Sequence, residues 1–407
     1  MAFVLLTTAR AQQLTTATRS QYLPFGRPDF GAEEIDAVSR VMRGGWVGMG
    51  QETVAFEQEL AAYAGAPHVV TVNSCTSALF LSLLVSNVGP DDEVICPSLT
   101  WCSTANAALY LGARPVFCDV EPHTLSVSPE TVTRHLTPRT KAVMVVHMGG
   151  LAADVEAIRA ALPSHVAIIE DAAHALGALY GDGTPVGSSG NLTCFSFYAN
   201  KNLSTGEGGA VALFDASRAD RLRSLRQHGL SADAWKRFTH PQSALSVKVS
   251  ELGYKMNYTD LQASIGRVQL RRQHEFATRR LALARRYADA LRDSPLPLDF
   301  QHKVLDHDHA RHLLVVTLPA GRMCLTRNEV LLALRNRNIG ASVHYAPLHM
   351  MPAYAGSGRL SLPHTEALMD RIMTLPISAS MTDADVDYVA GHLIDVLGTT
   401  VSERAAS

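Results

Sequence analysis

Lys201 is the residue whose setting points most directly to chemistry, and it is one of only six lysines among 36 basic residues. It follows a strand-like apolar run, residues 192–197, and precedes the Gly-rich turn at 205–209. A confined lysine loses its proton more readily than an exposed one, and lysine is the usual side chain that forms a Schiff base with a carbonyl group. The sequence therefore predicts a reactive amine at Lys201, with a solvated loop lysine as the alternative.

Two adjacent carboxylates, Glu170 and Asp171, end another apolar run. A buried carboxylate is costly unless it has a charged or hydrogen-bonding partner, so one of the two is a functional candidate. Because successive residues of a strand face opposite ways, Asp171 is better placed than Glu170 to point into the crevice at the strand end. His174 lies about one helical turn further on and is expected to point the same way.

Two other strand ends carry groups that could hold a ligand. Ser74, Cys75 and Thr76 open a helix-like segment, where free backbone amides and the helix dipole favour an anion. Ordinary capping of that helix by Ser74 or Thr76 is the alternative. Trp101 follows the second apolar run and could either stack on a planar ring or cap the core.

One ligand requires all four of these features together. Pyridoxal 5′-phosphate (PLP) needs a lysine for its aldehyde, a carboxylate for its ring nitrogen, an aromatic side chain for its ring and an anion site for its phosphate. Lys201, Asp171, Trp101 and residues 74–76 offer one of each. The combination predicts a PLP-dependent enzyme.

The elements that must position these residues follow a regular alternation of strands and helices. Strand-like apolar runs cover residues 68–72, 93–97, 114–120, 142–147, 167–171, 192–197 and 209–214. Helix-like segments separate most of them, which predicts an α/β fold with a seven-stranded, mostly parallel sheet covered on both faces. Since ligands bind at the carboxyl ends of the strands in such sheets, the candidate residues are expected to converge there.

The chain of 407 residues is long enough for two domains. We expect a flexible N-terminal tail at 1–22, a large PLP-binding domain at 23–255, an interdomain helix with a small C-terminal domain at 256–400, and a tail at 401–407. The second domain is predicted to contain a long helix at 260–292, strands at 312–318, 341–345 and 374–377, and a closing helix at 383–397.

Composition argues against several classes of protein. The net charge of −2 provides no basic field for nucleic acid. No apolar run reaches the roughly 18–20 residues of a spanning helix, so no membrane partner is expected. The six cysteines form neither a C-x-x-C pair nor a zinc-ligand spacing, which predicts no metal site and no disulfides, and hence a reducing, cytoplasmic location.

Several motifs occur along the chain in the same order as in the DegT-type sugar aminotransferases, a branch of the fold-type I PLP enzymes, and the chain resembles that family. The likeness extends from about residue 23 to 397 and is carried by the segments 44–47, 97–101, 170–174, 195–209, 253–260 and 344–345. Within the family, the contexts of Trp101 and of residues 257–260 are most similar to those of UDP-4-amino-4-deoxy-L-arabinose–oxoglutarate aminotransferases.

The resemblance implies catalytic roles for three residues. Lys201 would bind the cofactor aldehyde and then carry a proton between substrate and cofactor. Asp171 would pair with the ring nitrogen, and His174 would lie near the phenolic oxygen of the ring. Trp101 would stack on the ring face.

It also implies phosphate and substrate contacts. The phosphate is expected to be bound by Ser74, Cys75, Thr76 and Ser196. Asn257 is expected to reach the phosphate bound in the partner subunit, so the active unit would be a homodimer with shared active sites. The substrate side is expected to be lined by His147, His344 and Tyr345.

The activity implied by the resemblance is transfer of an amino group from L-glutamate, or glutamine, to a keto-sugar nucleotide. Relatives that dehydrate rather than transaminate carry His in place of the lysine, so Lys201 favours amino transfer. An aminotransferase for a cyclitol ketone or another small carbonyl compound stays open as an alternative. A binding or regulatory protein that keeps only the fold is a third possibility.

Overall fold

The computed structural model describes residues 18–231, 248–357 and 360–405. Its strands form a seven-stranded sheet, the large sheet, and a three-stranded sheet, the small sheet. The predicted α/β fold with a seven-stranded, mostly parallel sheet is therefore confirmed. The two sheets fall within the ranges 23–255 and 256–400, while the domain boundary itself stays a prediction. No helix in the described ranges is both long and apolar enough to cross a bilayer.

The large sheet has the strand order β1-β7-β6-β5-β4-β2-β3. Its strands are β1 His68–Val72, β2 Glu93–Pro97, β3 Arg114–Cys118, β4 Thr140–Val146, β5 Ala167–Asp171, β6 Leu192–Ser196 and β7 Gly209–Leu213. Only β7 among them runs antiparallel to its neighbours, β1 and β6. The carboxyl ends of β1, β2, β4, β5 and β6 consequently lie along one edge, as expected for ligand binding.

Helices cover both faces of the large sheet. They are α1 Ala32–Gly44, α2 Gln51–Ala64, α3 Cys75–Val85, α4 Ser103–Leu109, α5 Pro129–Thr133, α6 Val155–Ala161, α7 Ala216–Leu225 and α8 Asp260–Arg271. One face packs in a core that contains Phe56 and Phe195, and the other in a core that contains Leu79 and Cys194. Both faces are therefore buried, which explains why the central strands are mostly apolar.

The small sheet is antiparallel, in the order β10-β9-β8. Its strands are β8 Asp299–Phe300, β9 Leu314–Thr317 and β10 Ile372–Leu375. They pack with the helices α9 Gln273–Ala290, α10 Arg327–Arg335 and α12 Asp383–Ala405. A short helix, α11 Pro363–Met369, precedes β10. The predicted strand at 341–345 is wrong. Only Ser342 pairs there, by an isolated bridge to Thr374, because the chain then turns away from the sheet and carries His344 and Tyr345 to the cavity described below.

Two predicted helix bounds also differ. The segment 260–292 forms two helices, α8 and α9, that meet at Arg272. Arg272 leaves helical geometry and its guanidinium binds Asp29 and Glu34, so tertiary contacts override the continuous helical pattern. Helix α12 runs on to Ala405, into the predicted C-terminal tail, and residues 406–407 lie outside the described part.

The described part of the predicted N-terminal tail contacts the helices of the small sheet. Arg19 forms an ion pair with Asp385, and its carbonyl accepts a hydrogen bond from Asn338. Leu23 then forms a parallel bridge with Ile339. Residues 1–17 of that predicted tail lie outside the described residues.

Candidate active site

A cavity of about 470 Å³ lies at the carboxyl edge of the large sheet. Its volume falls in the range of small-molecule and cofactor sites. Most of the predicted site residues line it, namely Ser74, Cys75, Thr76, Trp101, Asp171, His174, Ser196, Lys201, His344 and Tyr345. The residues at the strand ends therefore converge as expected. His344 and Tyr345, which follow α10, complete the wall of the cavity.

Lys201 projects its amine into the cavity from the turn after β6. Its Nζ lies 3.2 Å from His312 Nε2, and the side chain is half-buried because the cavity opens onto it. Burial lowers the pKa of Lys201 to about 8, against the opposing influence of Cys75 and Asp171. A useful fraction of this amine is therefore neutral near physiological pH, which a nucleophile or a general base requires.

Asp171 ends β5 with its carboxylate buried in the cavity wall. Burial raises its pKa, whereas hydrogen bonds from the Thr104 hydroxyl (2.8 Å) and the Ala173 amide (3.2 Å) favour the ionised form. The nearby Lys201 amine has the same effect. The arrangement provides a negative charge for a cationic ring nitrogen.

His174 and Tyr345 form a hydrogen-bonded pair across the cavity. His174 Nδ1 accepts from the Gly149 amide at 3.3 Å, so Nε2 carries the proton and donates to Tyr345 Oη at 3.1 Å. Burial holds the pKa of His174 well below its usual range and raises that of Tyr345. Both side chains are therefore uncharged, and their rings stack with an interplanar angle of 21°.

The start of helix α3 forms a cup beside Gly209. Ser74 caps the helix by accepting from the Ser77 amide at 3.1 Å, so the capping alternative applies to its hydroxyl. The amides of Cys75 and Thr76 occupy the first turn, where no intrahelical acceptor exists, and both residues line the cavity. A Cβ atom on Gly209 would lie 2.6 Å from Cys75 N, so only glycine permits this close approach.

Two aromatic side chains border the mouth of the cavity. Trp101 is 59% exposed, which excludes the core-capping alternative, and its ring centroid lies 5.7 Å from that of Tyr345. His344 binds Thr374 through Nδ1 at 2.9 Å. Burial lowers the pKa of His344 to about 4, so this imidazole is neutral as well.

The structure corrects the expectation for His147. This residue is fully buried outside the cavity lining, and its Nε2 binds Glu170 at 2.8 Å while its Nδ1 accepts from the Ala153 amide at 3.0 Å. Tyr180 and Asn191 also donate to Glu170. Both ring nitrogens of His147 are therefore hydrogen-bonded on the side of the sheet that Glu170 faces, opposite to Asp171. His147 does not point into the cavity.

Asn257 also lies outside the cavity lining of its own chain. Its amide donates to the Tyr258 carbonyl at 3.0 Å, and its Oδ1 accepts from Lys255. Ser196, by contrast, lines the cavity, and its Oγ accepts from the Tyr198 amide at 3.4 Å.

Sequence reasoning missed two residues that contact the central pair. Thr104 binds Asp171 from helix α4, and a hydroxyl within a short Ala-rich helix just after Trp101 could have signalled it. His312 contacts Lys201 although 111 positions separate them. No local pattern marks His312, because the contact depends on how the chain before β9 packs against the large sheet.

The residues present fit PLP. The cavity combines an amine of lowered pKa at Lys201, a buried carboxylate at Asp171, an accessible ring at Trp101 and a glycine-lined amide cup at α3. These are the groups that a phosphorylated pyridine aldehyde requires. Among the described residues, no group of three His, Cys, Asp or Glu side chains could hold a metal ion.

Comparison with known proteins agrees with this chemistry. Residues 28–394 match the model of the DegT/DnrJ/EryC1/StrS aminotransferase family. The spore coat polysaccharide biosynthesis protein SpsC of Bacillus subtilis (strain 168) is 42% identical over 385 residues, which cover 93% of this chain and 98% of SpsC.

Solved structures have the same fold over nearly the whole chain. Spr1654 of Streptococcus pneumoniae, named as a sugar aminotransferase and solved in its PLP form, superimposes with a TM-score of 0.84 at 28% identity, covering 93% of this chain and 99% of that one. DesI, solved in the presence of its TDP-sugar product, has a TM-score of 0.84 at 29% identity over 96% and 97% of the two chains. The chain thus belongs to the DegT/DnrJ/EryC1/StrS aminotransferase family and is a PLP-dependent aminotransferase.

Proposed function

We propose that the chain transfers an amino group from L-glutamate, or L-glutamine, to a keto-sugar nucleotide and releases an amino-sugar nucleotide. The observation that carries the proposal is the pairing of a Lys201 amine of lowered pKa with the buried Asp171 carboxylate in one cavity. The likeness to DesI, solved with its TDP-sugar product, supports a nucleotide-linked acceptor.

The cofactor contacts follow from the lining of the cavity. Bound PLP supplies an aldehyde that takes up amino groups and a ring that withdraws electrons from the adjoining carbon. Ser74, Cys75, Thr76 and Ser196, which line the cavity, would hold its phosphate at the cup. Asp171 would place its carboxylate at the ring nitrogen, and Trp101 would cover a face of the ring.

Lys201 serves as the proton carrier of the reaction. Because its pKa is about 8, Nζ can accept a proton from a substrate carbon and return it near neutral pH. Neutral His174 donates to Tyr345 and so fixes the phenol at the cavity wall. His344 and Tyr345 border the substrate side of the cavity.

We also propose a homodimer with shared active sites. Asn257 lies outside the cavity of its own chain, which is consistent with an amide that reaches the phosphate bound in a partner subunit. All six cysteines are free thiols, in keeping with a reducing, cytoplasmic location.

The acceptor class can be tested with labelled donor. Purified enzyme is incubated with PLP, ¹⁵N-labelled L-glutamate and a panel of nucleotide-linked 3-keto and 4-keto sugars beside free cyclitol ketones, and ¹⁵N incorporation is measured by mass spectrometry. We expect incorporation into a nucleotide-linked sugar, and none with Lys201→Ala. Incorporation into a cyclitol ketone alone would contradict the proposed acceptor while leaving amino transfer intact.

A further inference from the structure

His312 joins the small-sheet part of the chain to the reactive amine. It lies two residues before β9 and is 4% exposed. Its Nε2 is 3.2 Å from Lys201 Nζ, and the centroid of its ring is 4.7 Å from that of His174. The imidazole therefore contacts both the amine and a side chain of the cavity wall.

The imidazole of His312 is uncharged. Burial holds its pKa well below the usual range, and the nearby Lys201, His174 and Arg280 act in the same direction. An imidazole in this form offers a lone pair to an amine hydrogen without placing a negative charge beside it.

The polar role of His312 is its contact with the Lys201 amine. Among the described residues, no hydrogen-bond partner reaches its buried Nδ1. A buried nitrogen left unpaired is unfavourable, so an apolar side chain of similar size would suit this position better on packing grounds alone.

We propose that His312 is a positioning residue, which accepts a hydrogen bond from the Lys201 amine and fixes Nζ for reaction without holding it as an ammonium ion. The inference rests on the proposed role of Lys201. The segment just before β9 would then help to position the reactive amine in the cavity of the large sheet.

The other groups near Lys201 set the background for its titration. They are Cys75 at the start of α3, Asp171 at the end of β5, His174 just after β5 and His344 between α10 and β10. Asp171 is the one carboxylate among these four groups. A second carboxylate at position 312 would therefore change the charge balance around the amine.

The test uses two substitutions with opposite expectations. In cofactor-free enzyme, labelling of Lys201 by trinitrobenzenesulfonate is followed against pH by peptide mass spectrometry, with a wild-type midpoint expected at about 8. His312→Asp is expected to raise the midpoint by about one to two pH units, since a carboxylate stabilises the ammonium form. His312→Asn, too short to reach Nζ, removes an acceptor and is therefore expected to lower the midpoint by less than about one pH unit and to slow attachment of added PLP about tenfold above it.

His309→Asn is the matched control. His309 is a buried histidine three residues earlier, and its ring nitrogens bind the Arg311 amide at 2.8 Å and Gln301 at 3.3 Å. This variant should change neither the midpoint nor the attachment rate.

Three results would overturn the proposal. They are an unchanged midpoint in folded His312→Asp, a wild-type attachment rate in His312→Asn, or equal effects in His309→Asn. If His312→Asp fails to fold, the attachment rate of His312→Asn decides. Failure of the proposed role of Lys201 is a separate outcome, because it would appear as a lysine-bound cofactor in Lys201→Ala. Failure of the proposed function would appear as absence of ¹⁵N incorporation into any nucleotide-linked sugar.

Discussion

Thr104 donates its hydroxyl hydrogen to Asp171 Oδ2 at 2.8 Å, although the two residues are 67 positions apart and lie on different elements. The bond opposes the effect of burial, which raises the pKa of the Asp171 carboxyl. Helix α4, which carries Thr104, begins six residues after β2 ends, so the end of one strand helps to set the charge at the end of another. The site thus depends on the order of the strands in the sheet.

Removing the charge of Asp171 should impair the reaction more than removing its hydrogen bond. Asp171→Asn preserves size, and we expect kcat for amino transfer to fall by at least about 100-fold, as when a preorganised electrostatic group is lost. Thr104→Val removes only one donor, and we expect a loss of about 3- to 10-fold at neutral pH. The measurement is kcat with L-glutamate at matched cofactor content.

The pH profile of Thr104→Val gives a second readout. Without the hydroxyl, the pKa of Asp171 rises further, so a higher pH is needed to ionise the carboxyl. The acid limb of the kcat/KM profile should therefore move to higher pH. A profile that superimposes on that of wild type would contradict the role of Thr104.

Attachment of PLP to cofactor-free enzyme should depend on the protonation of Lys201. The neutral amine is the nucleophile, and its fraction increases as pH rises through the pKa of about 8. The attachment rate, followed by absorbance in a stopped-flow instrument, should increase about tenfold per pH unit below that value and level off above it. A rate that keeps increasing past pH 10 would indicate an exposed lysine instead.

Gly209→Ala should weaken cofactor binding. The added Cβ would lie 2.6 Å from the Cys75 amide nitrogen and 2.8 Å from the Phe195 carbonyl oxygen, so the cup must shift. We expect the Kd for PLP to increase at least about tenfold, which corresponds to roughly 1.4 kcal/mol. Gly181→Ala is the matched control, because nothing lies within 4 Å of its added Cβ. Equal affinities for the two variants would contradict a phosphate site at this cup.

His147→Asn should affect stability and not acceptor recognition. The change removes a buried hydrogen bond to Glu170, whose pKa is kept low by His147, Ser189 and Tyr180 against the effect of burial. We expect the free energy of unfolding to fall by about 1–3 kcal/mol, since a buried charged acceptor loses a partner. KM for the acceptor should stay within about twofold of wild type. A large change in KM at unchanged stability would restore His147 to the substrate side.

Strand ends were predictable from sequence because a buried parallel strand leaves a clear signature. β1, β2 and β5 match their predicted bounds, and the residues that follow them converge as expected. The signature exists because both faces of these strands are covered, so apolar residues occupy most positions of each strand. Asp171 could be found because it ends such a run with a charged group, and Lys201 because it is one of six lysines and follows another run.

Contacts made by the chain beyond α9 were not predictable in the same way. The segment at 341–345 has strand-like composition, yet Tyr345 leaves the sheet to meet His174, a contact between residues 171 positions apart. His312 reaches Lys201 by similar long-range packing. His147 was misplaced because its position after β4 suggested the crevice, whereas hydrogen bonds to Glu170 and Ala153 hold it on the opposite face.

Lys201 is proposed to hold PLP and to take part in amino transfer. The most direct measurement is the absorbance spectrum of purified enzyme with PLP, recorded before and after L-glutamate, for wild type and Lys201→Ala. We predict a band of lysine-bound cofactor in wild type that converts to the pyridoxamine phosphate form with glutamate, and no such band in Lys201→Ala. A wild-type enzyme that stays colourless with added PLP, or a band that persists in Lys201→Ala, would contradict the account.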